Sequence, residues 1–176
     1  KGIQFMKLEQ ASTYFFYFNM KDPLLGKNPD LRKAISMAFD RDAFIEKFRN
    51  GRGIRANSMI PRTVPGHGKL SFPFEYNVEK ARAALTKAGY PAGVNLPVLR
   101  LDLKGTSTNF RQQGEFIRDS LGKIGIRVEV IPNSMPGYLE KERNGNLQFV
   151  LGLWDSDYPD AENFLDRKST RLNSSH

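Results

Sequence analysis

The sequence has 176 residues and a formal net charge of +8, with 39% hydrophobic and 26% charged residues, the length of one domain or lobe and the composition of an ordinary globular chain. It contains no Cys, which excludes disulfides and thiolate zinc sites. No apolar stretch approaches the roughly 18 residues needed to cross a bilayer, and Lys and Arg are scattered with no RNA-binding aromatic motif, so neither membrane spanning nor nucleic-acid binding is expected.

Residues 13–19 are aromatic and extended, which predicts a strand. Asn28-Pro29-Asp30 opens a helix: Asn28 is the cap, Pro29 fits the first helical position, and Asp30 faces the positive end of the helix dipole. Leu31, Ile35, Ala38 and Phe39 then share one face. A second helix is predicted over residues 42–48, closed by Asn50-Gly51. Residues 51–73 are rich in Gly and Pro and read as a long loop, which is unusual inside a compact domain unless it is functional. Asn77 caps the next helix, with Val78, Ala81, Leu85 and Ala88 on its buried face and Gly89 and Pro91 beyond its end.

The pattern then becomes regular. Residues 98–103 alternate as a strand with Leu99, Leu101 and Leu103 on one face. Thr106 or Ser107 caps a helix carrying Phe110, Ile117, Leu121 and Ile124, ended by Gly125. Residues 126–131 form a strand, Ser134 and Pro136 open a short helix through Tyr138 and Leu139, and residues 147–154 form the last strand. Strand, helix, strand, helix, strand predicts an α/β fold with right-handed βαβαβ crossovers and a mostly parallel sheet.

Catalytic apparatus is missing from this pattern. Gly66-His67-Gly68-Lys69 lacks the spacing of a phosphate loop and follows no strand, so it reads as a turn. His67 has no second His or Cys for a zinc site outside the last residues, and no GxSxG elbow accompanies it. Asp155, Asp157, Asp160 and Glu162 lack the central Gly and closing Glu of a calcium loop. We therefore expect no enzyme activity, no metal and no cofactor.

The informative segment is Trp154-Asp155-Ser156-Asp157-Tyr158-Pro159-Asp160, which follows the apolar run 149–153. Ligand sites of α/β sheets lie just past the carboxyl ends of strands. Here Asp157 can neutralise an ammonium group and Trp154 can cover an apolar one, which is binding rather than covalent chemistry. The alternatives stay open: Asp157 as the cap of the turn before Glu162, Trp154 as lobe core rather than pocket wall, and Tyr158 as either. Arg127 and Arg143 are carboxylate partners by charge only.

The same residues carry a family resemblance. Trp154-x-x-Asp157-Tyr158-Pro159-Asp160 with Asn163-Phe164-Leu165 resembles the family 5 extracellular solute-binding proteins, the oligopeptide and dipeptide receptors of ABC importers and their relatives. Further stretches match in the same order: Phe18-Asn19, Pro23-Leu24, Leu31-Arg32-Lys33-Ala34-Ile35 and Asp40-Arg41; Tyr76-Asn77 with Ala81-Arg82, Leu85 and Ala88-Gly89-Tyr90-Pro91; and Ile124-Gly125-Ile126. In that family the 51–73 segment wraps over the lobe, with Ala56 and Ile60-Pro61 as landmarks. Leu24, Arg32 and Asp40-Arg41 are expected to be structural. Position 151 is Leu where some oligopeptide receptors carry Arg.

The resemblance implies a type II periplasmic binding protein fold. Residues 1–19 would lie near the crossing between lobes and residues 20–165 would form part of the C-terminal lobe. It also implies a monomeric receptor at the periplasmic or extracellular face of the membrane. That receptor would capture a peptide or other small solute by hinge closure and pass it to the permease. Asp157, Trp154 and Tyr158 would be its ligand-binding residues. An opine, an oligosaccharide or a metal chelate is the alternative ligand, and an α/β enzyme the reading of another class. Residues 166–176 are polar, aperiodic and without family counterpart; they read as a translated sequencing adapter, and the chain as an internal piece of a longer one. Those residues hold three cations and one anion, which leaves +6 on the rest.

Overall fold

The computed structural model describes residues 9–68, 74–158, 160–162 and 164. The adapter-like residues, Lys69, Pro73, Pro159, Asn163 and Leu165 lie outside the described residues. Two compact units are present, one formed by the described residues within 16–55 and 73–151 and the other by those within 1–15, 56–72 and 152–176.

The described strands form one four-stranded sheet. Strand β1 is Ser12–Phe18, β2 is Leu99–Leu103, β3 is Val128–Pro132 and β4 is Phe149–Asp155, in the spatial order β1-β4-β2-β3. The β2 strand pairs in parallel with β3 on one side and with β4 on the other. Hydrogen bonds from Asn19 N to Gln148 O and from Ser156 N to Ala11 O run β1 antiparallel to β4. The sheet is thus mostly parallel, as the alternation of elements predicts, with one antiparallel edge strand.

The helices are α1 (Pro29–Ala38), α2 (Arg41–Arg49), α3 (Val78–Lys87), α4 (Thr108–Gly122) and α5 (Met135–Arg143). Their starts follow the local signals. The side-chain oxygens of Asn28, Asp40, Asn77 and Ser134 accept from the N–H groups of Leu31, Ala43, Lys80 and Gly137. Ser107 caps α4 by position but makes no side-chain cap bond. Asn28 Nδ2 also donates to Ala88 O, and Asn77 N to Met37 O, so α1 and α3 lie antiparallel and are tied at both ends. Arg41 donates to Ser36 O and Phe39 O at the end of α1, and Arg32 to Gly26 O and Leu25 O, the structural roles expected of both. Burial, with Arg55 adding to it, lowers the Arg41 pKa from its ordinary value.

One face of β2 carries Leu99, Leu101 and Leu103 into the main core with Leu31, Ile35, Leu85, Ile117 and Leu121. Each such burial is worth about 1.5–3 kcal/mol. Phe39 touches Phe16, Phe44 and Phe116 at ring separations of 4.9, 5.3 and 6.0 Å, which joins the sheet to α2 and α4. Gly114 lets α4 sit close to the sheet, since a Cβ there would meet Val130 at 2.5 Å. The opposite face of the sheet is covered too. Val150 packs with Tyr138 and Leu147. Asp102, which alternation places on an outward face, is only 2% exposed. It accepts from Asn133 Nδ2 at 2.9 Å and from Lys141 Nζ at 2.8 Å.

Other departures from the sequence reading have local causes. Phe110 was expected on the buried face of α4 but is 38% exposed, its ring set against Gly105 instead of the core. Of the pair expected on α5, Tyr138 is buried and Leu139 is exposed. The β3 strand starts at Val128 rather than at 126, because Gly125 takes a positive φ of 90° and turns the chain first.

That turn makes a test. Gly93 (φ 75°) and Gly125 lie backbone to backbone, and a Cβ on Gly125 would meet Ala92 O at 2.2 Å. Gly125→Ala should therefore lower the unfolding free energy measured in urea by at least about 1 kcal/mol. Gly122→Ala, at a helical site with open space, should raise it by about 0.5–1 kcal/mol. Equal effects from both would show that the close approach is absent.

Candidate ligand site

β4 alternates its side chains between two faces. Phe149 and Leu151 face the main core, Val150 the α5 side, and the strand then runs on through Gly152, Leu153, Trp154 and Asp155. Ser156 N donates to Ala11 O at 3.0 Å, which is the last bond holding this end of the strand. A bend follows over 156–158, and Asp160 then accepts from Glu162 N at 2.8 Å to open a helical turn. Asp160 thus caps this turn, with Asp157 on the bend before it.

The expected ligand residues fall into two environments. Trp154 is half-buried against Ile60, Val64 and Phe164, with Ala11 and Ala161 beside them. Asp157 is exposed on the bend, and Tyr158 beside it is 50% exposed. Asp155, Asp157, Asp160 and Glu162 give this surface a strongly acidic character. An exposed carboxylate and phenol three and four residues after a half-buried indole are groups that can hold a cation with an apolar neighbour. Among the described residues no group of three His, Cys, Asp or Glu side chains is placed to hold a metal ion.

The long loop supplies what sequence reasoning missed. Ile60 and Val64 are buried, four residues apart, and form the floor under Trp154. The loop is shaped by turns from Pro61 O to Val64 N and from Val64 O to His67 N, and His67 Nδ1 lies 2.7 Å from Ile60 O. His67 thus serves a turn. The only sequence signal for this floor was two branched apolar residues in a segment otherwise rich in Gly and Pro. Arg127 and Arg143, weighed by charge alone, donate to Leu96 O and Leu139 O.

The sequence matches the description "Bacterial extracellular solute-binding proteins, family 5 Middle" over residues 1–175. The chain belongs to this family. It is 27% identical over 167 residues to the dipeptide-binding protein of Escherichia coli K12, covering 94% of this chain and 31% of that protein. Heme-binding protein A of Haemophilus influenzae is 27% identical over 168 residues, covering 93% and 30%. The solved structure of the periplasmic binding protein DppA from Helicobacter pylori with the peptide STSA superposes with a TM-score of 0.77 at 28% identity, over 89% of this chain and 29% of that one. The chain spans about a third of the length of the curated relatives it matches. Its fold is that of the type II periplasmic binding proteins, a family of binding proteins rather than enzymes. Among the described residues no helix of this family 5 chain is long and apolar enough to cross a membrane.

Phe164 is 2% exposed and closes the small cluster around Trp154. Phe164→Ala should cost about 3–5 kcal/mol of stability in that cluster. Trp154 is the single tryptophan of the sequence, so its fluorescence should move to longer wavelength in the variant. An unchanged emission maximum would contradict the packing.

Proposed function

We propose that this chain is part of the substrate-binding component of an ABC importer and that it captures peptides. In this reading residues 20–165 belong to the C-terminal lobe, which closes on a second lobe about a hinge, and residues 1–19 approach the crossing. Asp157 pairs with the α-ammonium of the peptide. Trp154 and Tyr158 wall the first side chain, and backbone hydrogen bonds along an extended peptide supply affinity with little demand on sequence. Closure is a population shift that the bound solute drives by its preference for the closed form. The receptor acts as a monomer at the periplasmic or outer face of the membrane, hands its solute to the permease, and has no catalytic role.

The observation that carries this reading is the exposed Asp157 on the bend after β4, beside a half-buried Trp154. The peptide in the Helicobacter pylori DppA structure and the dipeptide specificity in the name of the Escherichia coli relative support it. A non-peptide solute, such as an opine, an oligosaccharide or a metal chelate, is the second reading. It is favoured by the similarity to a heme-binding protein at the same 27% identity.

A full-length receptor containing this segment should show a raised melting point with pooled di- to pentapeptides. A ligand at 100 times its Kd stabilises by about 2.7 kcal/mol. Asp157→Ala should weaken binding by about 3–5 kcal/mol, the cost of stripping one partner from a desolvated charge pair. Peptides acetylated at the amino terminus should bind as poorly to the parent as free peptides do to the variant. A response to heme or an opine with none to peptides would select the second reading, and unchanged affinity in Asp157→Ala would remove the ammonium role.

A further inference from the structure

The candidate ligand residues lie at and just beyond the carboxyl end of β4, and the ladder that fixes this strand against β2 is short. β2 pairs with β3 at five positions but with β4 only at Leu101 with Phe149 and at Asp102 with Val150. Side chains alternate faces along a strand, so a slip of one residue would exchange Phe149 with Val150 and Leu153 with Trp154. β1 constrains the other edge of β4, and on the β2 edge a side chain beside this short ladder can fix the register further.

Gln148, the residue just before β4, is in place to do so. It is 8% exposed. Its Oε1 accepts from Arg100 N at 2.7 Å, so the side chain supplies β2 with a bond one step before the ladder begins. Its Nε2 donates to Asp22 Oδ2 at 3.1 Å, and its own carbonyl accepts from Asn19 N at 2.9 Å. Asp22 is held in turn, because its other oxygen accepts from Leu24 N and Leu25 N. Asn19 Nδ2 donates to Gly145 O and Leu147 O, which fixes the approach to the strand. A shift of the chain by one residue would pull the carboxamide away from both partners and leave buried polar groups unpaired, the expensive way to lose a hydrogen bond.

We propose that Gln148 is a positioning residue for the ligand site: its carboxamide, clamped between Asp22 and the Arg100 backbone, sets the register of β4 and therefore the face on which Trp154 lies. The link to ligand rests on the function proposed above; the link to Trp154 does not. Gln148 touches no ligand in this scheme. It specifies which side chains the strand presents.

The test uses the 176-residue chain and the emission of its single tryptophan. Gln148→Leu, close in size and without polar atoms, should shift Trp154 emission to longer wavelength and raise its quenching by iodide at least twofold, with the far-ultraviolet circular dichroism kept. Gln148→Glu should do the same, since it sets a second carboxylate beside Asp22 with no proton to donate. Adding Asp22→Asn to Gln148→Glu reverses donor and acceptor, and should bring emission and quenching back to the parent values. Parental emission in a folded Gln148→Leu chain would overturn the proposal. If Gln148→Leu does not fold, failure of the double substitution to restore what Gln148→Glu changed would overturn it as well. In the full-length receptor, normal peptide affinity in Asp157→Ala would defeat the ammonium site while leaving these fluorescence results standing, so the two failures are distinct.

Discussion

Everything in the larger unit depends on β2 being covered on both faces. β2 has neighbours on both edges, and every one of its residues except Arg100 is buried, so the polar one among them needs partners. Three leucines meet this demand on one face by joining the main core. The other face is met differently, with Asp102 buried and bound to Asn133 and Lys141. A buried carboxylate is tolerated only where its charge and lone pairs are answered, and here a lysine from α5 and an amide following β3 do so. The ion pair therefore fixes where α5 crosses the sheet more than it adds stability.

The helices follow from that requirement. α1 and α3 form an antiparallel pair tied at both ends by Asn28 and Asn77, residues that also cap their own helices. Asn28 does local and long-range work with one side chain, while Asn77 caps with its side chain and ties to Met37 through its backbone N–H. Phe16 of β1, Phe39 just after α1, Phe44 of α2 and Phe116 of α4 then join these layers through tilted and edge-to-face contacts, which fill space without demanding hydrogen-bond partners.

The smaller unit shows how a candidate ligand surface is made from little secondary structure. Its hydrophobic content is a handful of side chains, Ile60, Val64, Trp154 and Phe164 among them. Turns and backbone bonds do the rest, with Asp155, Asp157, Asp160 and Glu162 exposed. Sites of this kind commonly lie on loops set by a rigid scaffold, because a loop can present polar groups without having to bury them.

The sequence by itself determined the elements whose signals are local. Capping residues, proline positions and helical or alternating periodicity placed five helices and four strands close to where they lie, and a family-wide pattern of residues named the fold. It also singled out Trp154, Asp157 and Tyr158, since an aromatic and carboxylates after an apolar strand form a local pattern. What it could not determine were relations between distant residues. The antiparallel seating of β1, the burial of Asp102 under α5, the floor that Ile60 and Val64 make for Trp154 and the clamp on Gln148 all join segments tens of residues apart. Alternation puts Asp102 on the face opposite the leucines, but a period of two does not report what covers that face. Helical periodicity read Phe110 as inward because it cannot see that Gly105 offers its ring a nearer resting place. Local chemistry fixes where the backbone turns and coils; only the tertiary structure decides which surfaces meet, because that depends on closing loops between residues far apart in the chain.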